Sequence, residues 1–226
     1  MTVAVARKNV REEILELSVP LFAEAGFDGV SMRDIAQAVG VSPAALYHHF
    51  SDKDDLYLQM VEAVFTEKTT GLKALLAADG TPWDRLEAFV AEFTELLAVE
   101  KDFQRLLQWG LLDTNEGRTR RLADNVFQGV VRDLYGLAGA FSGCFDRHLL
   151  TVSIMSLILL PFEAGKASRY LPGYSSHHER PAVLARHVVG LLRHGLFGQA
   201  AGSCLKELPA SPNVAGVKTE PGGCLV

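Results

Sequence analysis

Three helix starts and one tight turn fall within residues 31 to 57, SMRDIAQAVGVSPAALYHHFSDKDDLY, and this spacing narrows the possible fold more than any other feature of the chain. Ser31, Ser42 and Ser51 each stand where a side-chain oxygen accepts from the first free N–H groups of a following helix. Asp34 and Asp54, three residues after Ser31 and Ser51, add a shortened capping box. Pro43 suits a first helical position, where its missing N–H costs nothing. Gly40 is placed to turn left-handed and end one helix just before the next. The pattern predicts helix, short glycine turn, helix.

The second of these helices reads cleanly with a period of 3.6 residues. Leu46 and Phe50 share one face and are expected to pack against Ile35, Val39 and Val41. Ala44, Ala45, Tyr47 and His48 then point outward, with two small side chains that permit close approach to a polyanion. Tyr47 and His48 are expected to reach phosphate oxygens, and Lys53 to do so from the next helix. Serine-capped helix starts add N–H groups and positive dipole ends. Charge argues the other way. Residues 1 to 57 hold five basic residues against nine acidic ones, a net of −4, whereas nucleic-acid modules carry a basic footprint. The basic groups are nevertheless local. Arg7, Lys8 and Arg11 form an N-terminal arm, and Arg33 and Lys53 flank the outward face.

DIAQAVGVSPAALYHHFSDKDDL, preceded by LFAEAGFDGVSM, closely resembles the N-terminal module of the TetR/AcrR family of bacterial transcriptional regulators. The resemblance covers about residues 10 to 60 and implies site residues. Ser31 and Arg33 fall at the start of the family's second helix, which often touches the DNA backbone. Ser42, Pro43, Ala44, Ala45, Tyr47, His48 and His49 fall on its recognition helix, and Lys53 on its phosphate-contacting lysine.

The rest of the chain reads as helices. They are expected at about 9–25, with Ile14, Leu17, Leu21 and Phe22 inward, then 54–77, 81–99, 102–112, 117–140, 145–170 and 180–197. No useful strand alternation appears. The class is therefore all-α: an N-terminal three-helix helix-turn-helix DNA-binding module followed by a larger helical ligand-binding and dimerisation domain. Expected boundaries are 1–53 for arm and reading module, 54–199 for the helical domain, and 200–226 for a disordered tail rich in proline and glycine. Residues 145–170 and 180–197 are apolar on more than one side and so need two packing partners. They are the expected homodimer surface, and the resemblance implies a four-helix bundle between subunits. A two-fold dimer would place two recognition helices about 34 Å apart on a palindromic double-stranded operator.

Trp83, Phe89, Phe93, Leu106, Trp109, Phe127, Tyr135, Met155 and Phe162 are candidates to line an apolar cavity for an unidentified small-molecule effector, with Gln108, Asn125, Gln128 and Arg132 as candidate polar contacts. Pro161 is a candidate kink. His177, His178 and Glu179 cluster, but in a loop without convergent ligand spacing, so no metal is expected. Cys144, Cys204 and Cys224 form no metal or redox pattern, and no cofactor is expected. No nucleophile elbow, phosphate loop or isolated carboxylate pair appears, which argues against an enzyme. MTVAVARKNV lacks the apolar core of a signal peptide, and the longest apolar run, 149–162, is too short to span a bilayer, so a cytoplasmic protein without membrane association is expected.

The function these features imply is a ligand-responsive DNA-binding regulator, a repressor released from its operator by an apolar molecule. The acidic balance keeps a second reading open, a helical lipid- or acyl-binding protein with weak or lost DNA affinity. The regulator reading predicts that affinity for operator DNA falls steeply from low to moderate salt, by about 0.9 log units per log unit of salt for each phosphate contacted. Affinity measured across a salt series checks this; a flat response would contradict it.

Overall fold

Side-chain oxygens start the helices much as the spacing requires. In the computed structural model, which describes residues 9–141 and 145–197, Asn9 Oδ1 accepts from Arg11 N–H (3.2 Å) to open α1 (Val10–Ala25). Ser31 Oγ accepts from Asp34 N–H, and the Asp34 carboxylate accepts in turn from Ser31 N–H (2.8 Å). This complete capping box opens α2 (Met32–Val39). Gly40, at φ 78° and ψ 29°, ends it, and Ser42 Oγ accepts from Ala45 N–H (3.2 Å) to open α3 (Pro43–His49) with Pro43 at its first position.

The third start is displaced by one residue from expectation. Asp52, not Ser51, caps α4 (Lys53–Ala77), its carboxylate accepting from Asp55 N–H (2.8 Å), while Ser51 N–H donates to Asp55 (3.0 Å). The segment SDKDD contains two overlapping pairs at the same spacing, and the register with the charged acceptor at the cap wins. It also leaves Asp54 free to face another element. On α1, Leu17 is 41% exposed rather than buried, and Leu15 and Ser18 take the inward face with Ile14 and Phe22. Ser18 is tolerated there because its hydroxyl donates to Ile14 O (2.6 Å). A search for apolar residues alone passes over it.

α5 (Pro82–Val99) opens on a second capping box, Thr81 with Asp84. α6 (Lys101–Leu111), α7 (Glu116–Leu122) and α8 (Gln128–Ala138) follow, the last two joined by a π-helical turn over Ala123–Phe127. The helix expected over 117–140 thus carries an extra residue in one turn. α9 (Arg147–Glu163) runs through Pro161 and stops two residues later; a short α10 (Gly165–Ser168) and α11 (Pro181–Phe197) complete the order. No strand occurs among the described residues. Arg7 and Lys8 of the arm, the three cysteines and the tail beyond residue 199 lie outside them.

α1, α2, α3 and the start of α4 close around Ile14, Phe22, Ile35, Leu46, Phe50 and Leu56. α4 then continues into the second group, packing on α5 and α8, with α9 and α11 against α5. The junction between the groups is built on Phe27. Lys53 Nζ lies 4.1 Å from the ring centroid and donates to Phe27 O (2.9 Å) and Val30 O (3.0 Å). The Arg118 guanidinium stands 3.7 Å from the same ring. Arg118 also forks onto Asp113, with one bond at 3.0 Å, and donates to Asp54 (3.0 Å). One turn of α6 away, Trp109 lays its indole against Gly26 and donates to Ala23 O (3.2 Å). A side chain at Gly26 would meet that indole at 3.0 Å, and Gly26 is also at φ 68°.

Burial pushes the Asp113 carboxyl up, but the Arg118 hydrogen bonds and charge outweigh it and hold Asp113 below the usual carboxylate range. Burial, aided by the Asp113 charge, pushes the Tyr57 phenol to about 12, so it stays neutral where it packs edge-on to Phe22 and Phe27. Arg118→Ala strands the Asp113 carboxylate, whose side chain is only 7% exposed, and should cost about 3 kcal/mol in denaturant unfolding. Because Asp113 is depressed, its contribution is full above the ordinary carboxylate value of about 3.9 and is lost as pH falls through its folded value. The wild-type protein should therefore lose stability on acidification in that window more steeply than Arg118→Ala; equal slopes would contradict the assignment.

Candidate functional site

Two surfaces have functional character. The first is the outward face of α3. Pro43, Ala44, Tyr47, His48 and His49 are exposed and Ala45 is half-buried, while Leu46 and Phe50 are sealed into the core. Tyr47 is 55% exposed. Short length makes α3 dependent on its packing rather than on propensity; Leu46 and Phe50 hold it against α2 and orient the face. Arg33 is exposed on α2, and Ser31 and Ser42 keep their hydroxyls at the helix starts. Lys53 sits differently from the rest. Its ammonium is part-buried, and two of its three donors are taken by the Phe27 and Val30 carbonyls. It therefore fixes the α1–α2 turn and keeps one N–H for any outside acceptor.

The second surface is a cavity of about 520 Å³ between α4, α5, α6, the π-helical turn, α8 and α9. Such a volume lies within the range of about 300–1,000 Å³ common for small-molecule sites. Its wall is apolar: Phe65 and Leu72 from α4, Phe103 and Leu107 from α6, Phe127 and Val130 around the π turn, Met155 and Leu159 from α9. Of the nine candidates drawn from the sequence, Phe93, Phe127 and Met155 line it. The other six do not line it. Phe89 and Leu106 are fully buried in solid core. Trp83 packs edge-on to Phe141 beneath Arg193, and Trp109 belongs to the junction. Tyr135 is 41% exposed with Arg147 over its ring, and Phe162 packs against the core without reaching the cavity. Periodicity identifies an inward face, but cannot tell a residue that meets another side chain from one that meets a void.

Gln108, Asn125, Gln128 and Arg132 do not line the cavity either; Arg132 and Gln128 bond to one another on the surface (2.6 Å). Phe65, Leu72, Phe103, Leu107 and Glu163 line the cavity without a sequence signal that sets them apart from other core or surface residues. The π turn carries the clearest geometric reason for a cavity here. Gly110 packs so close to it that an added Cβ would meet Phe127 at 3.1 Å. The His177 and His178 rings lie with centroids 4.1 Å apart and tilted by 58°, and Glu179 accepts from Arg169 (2.8 Å) and Tyr174 (2.5 Å). Among the described residues no group of three candidate metal ligands forms.

Residues 14–60 match the profile of the bacterial regulatory proteins of the tetR family. That segment, residues 14–60, is a TetR-type N-terminal domain. It is 26% identical over 132 residues to the HTH-type transcriptional repressor KstR2 of Mycobacterium tuberculosis H37Rv, an alignment covering 53% of this chain and 66% of that protein. It is 38% identical over 56 residues to the biofilm operon regulator IcaR of Staphylococcus aureus strain Newman, covering 25% of this chain and 30% of that one. The chain thus spans less than two thirds of the curated relatives it matches. Among solved structures it resembles FadR of Bacillus subtilis in complex with stearoyl-CoA (TM-score 0.66, 19% identity, 80% of this chain and 96% of that one). It also resembles AibR in complex with isovaleryl coenzyme A and operator DNA (TM-score 0.61, 21% identity, 81% and 97%). At these identities the likeness concerns the fold: an N-terminal helix-turn-helix below a helical domain.

The two faces of the TetR-type module separate by mutation. Tyr47→Ala, at an exposed position, should weaken DNA binding by tenfold or more, on the order of 1.4 kcal/mol, while leaving the melting temperature unchanged. Lys53→Ala should lower both, because the junction clamp goes with it. Gel-shift titration beside thermal melting checks this; loss of stability in Tyr47→Ala would contradict the assignment of its face.

Proposed function

We propose that the chain is a homodimeric, ligand-responsive transcriptional regulator, a repressor that leaves a palindromic operator when an apolar molecule enters the cavity. The observation that carries this reading is the α3 face: a recognition helix with its apolar side buried and Ala44, Tyr47 and His48 presented outward without partners in the fold. With two alanines on that face, contacts to thymine methyls and DNA shape would contribute more to selectivity than hydrogen bonds to base edges. Support for the cavity as effector site comes from its size and apolar wall, and from the acyl-CoA ligands of the FadR and AibR structures. Its lining holds one ionisable side chain, Glu163, among the described residues, which serves binding but supplies no acid–base pair.

Dimerisation is supported by apolar exposure on the two last long helices. Leu149 (63% exposed), Val152 (47%) and Leu160 (64%) form one face of α9, and Leu191 (49%) stands on α11. A second copy would cover them and supply the second reading module that a two-fold operator needs. Among the described residues no helix is long and apolar enough to cross a membrane.

The population shift follows from the helix that touches both the cavity and the reading module. α6 lines the cavity with Phe103, Leu107 and Leu111 and grips α1 with Trp109. An occupant that favours a displaced α6 would move the reading module and change the separation of the two recognition helices. The acidic balance of the first 57 residues and the internal use of Lys53 favour the second reading, an apolar-ligand binding protein with weak DNA affinity. A mobility shift on the DNA flanking its own coding region, with nonspecific competitor, separates them. Specific retardation as a dimer is expected, with Leu149→Glu shifting the protein to monomer by light scattering and weakening retardation at least tenfold. A folded dimer that retards no flanking fragment would contradict the regulator reading.

A further inference from the structure

The polar groups of the cavity share one property. Thr69 Oγ1 donates to Phe65 O (2.7 Å) and Thr151 Oγ1 donates to Arg147 O (2.8 Å). Each hydroxyl proton is therefore committed to its own helix, and what remains for a guest is an acceptor lone pair. Glu163, at the end of α9 where the cavity wall reaches Leu160, is half-buried, and its carboxylate has no hydrogen-bond or ion-pair partner among the described residues. An ionised carboxylate is an acceptor only. Of the described lining residues only Ser156 keeps a side-chain proton to offer, and none is basic. Leu111, Val152 and Leu160, which line the same cavity, are exposed in the single chain, and the proposed second copy would cover the last two. Two threonine acceptors, one serine hydroxyl and one carboxylate in an apolar chamber leave an anionic head with a single donor and in repulsion with Glu163, and a buried group short of its partners is costly.

We propose that the effector is an apolar molecule whose polar end is a hydrogen-bond donor, a hydroxyl or a protonated amine, and that Glu163 is the residue that selects it over a carboxylate or a coenzyme A ester of the same chain. This deepens the effector-site reading above and rests on it. The donor head engages Glu163 and the apolar body fills the space between Phe65, Phe103, Phe127 and Met155. Glu163 is a binding residue at the cavity's polar end, and the threonines widen the tolerance for a second donor along the body.

Four probes of one chain length test this directly: dodecanol, dodecylammonium, laurate and lauroyl-CoA, each below its micellar concentration, titrated into the full-length protein by calorimetry. Dodecanol and dodecylammonium should bind at least tenfold more tightly than laurate and lauroyl-CoA. Glu163→Gln, which keeps shape and removes charge, should weaken dodecylammonium about tenfold and narrow its advantage over laurate. Met155→Trp, which fills the chamber, should abolish binding of all four, and thermal melting reports whether it remains folded; Val130→Trp is the second filling variant. Laurate or lauroyl-CoA binding as tightly as the donor-headed probes overturns the proposal, as does an unchanged preference in Glu163→Gln or binding by no probe. The readout uses no DNA, so a failure here stands apart from a failure of the regulator reading, which the mobility shift decides.

Discussion

The ring of Phe27 between two cations is the contact on which the relation of the two helical groups depends. Lys53, from the first turn of α4, holds one side and ties down the carbonyls of the α1–α2 turn; Arg118, from α7, holds the other and is itself fixed by Asp113 and Asp54. Cation–π contacts of this kind are worth about 0.5–1 kcal/mol when exposed and more when desolvated. Here the guanidinium is nearly buried, so its charge must be answered locally, and the two aspartates do so while taking three of its five donors. The module that presents α3 is thereby seated on the helices that wall the cavity.

That seating gives α6 two duties on opposite sides. Phe103, Leu107 and Leu111 face the void, and Trp109 faces Gly26 and Ala23. Gly110 between them lets Phe127 of the π turn approach, so the wall cannot shift there without meeting an aromatic ring. Packed helices respond to such a displacement by changing arrangement rather than by yielding gradually. A differential affinity of a few kcal/mol between two arrangements suffices to move most of a population.

How much of this was legible in the sequence varies with the range of the interaction. The α2 and α3 starts depended on residues three apart, so Ser31 with Asp34, Ser42 with Ala45 and Gly40 between them were readable one by one. The α4 start was ambiguous by one residue because SDKDD offers the same spacing twice. Arg118 was not legible: in EGRTRRL it looks like any of three arginines on a short exposed helix, and its partner Asp54 is 64 residues away. The cavity was half legible. Apolar stripes placed Phe93, Phe127 and Met155 inward, but whether an inward ring meets a neighbour or a void is settled by the crossing of five helices and a π turn. Net charge was less informative, since the acids of residues 1 to 57 count toward a sum while Asp34, Asp52, Asp54 and Asp55 are held in caps and bridges.

The central claim is that occupancy of the cavity reaches the reading face through α6 and the Phe27 junction. Operator affinity of a variant with the cavity permanently filled, Leu107→Trp, measured by fluorescence anisotropy against the wild-type protein in the absence of any effector, tests it most directly. A coupling of about 1–3 kcal/mol, seen as operator affinity weakened some 5- to 150-fold in a dimer of normal secondary structure, is the predicted result. Unchanged affinity in a folded, filled variant would show that the cavity and the reading face are not coupled, and would contradict the account.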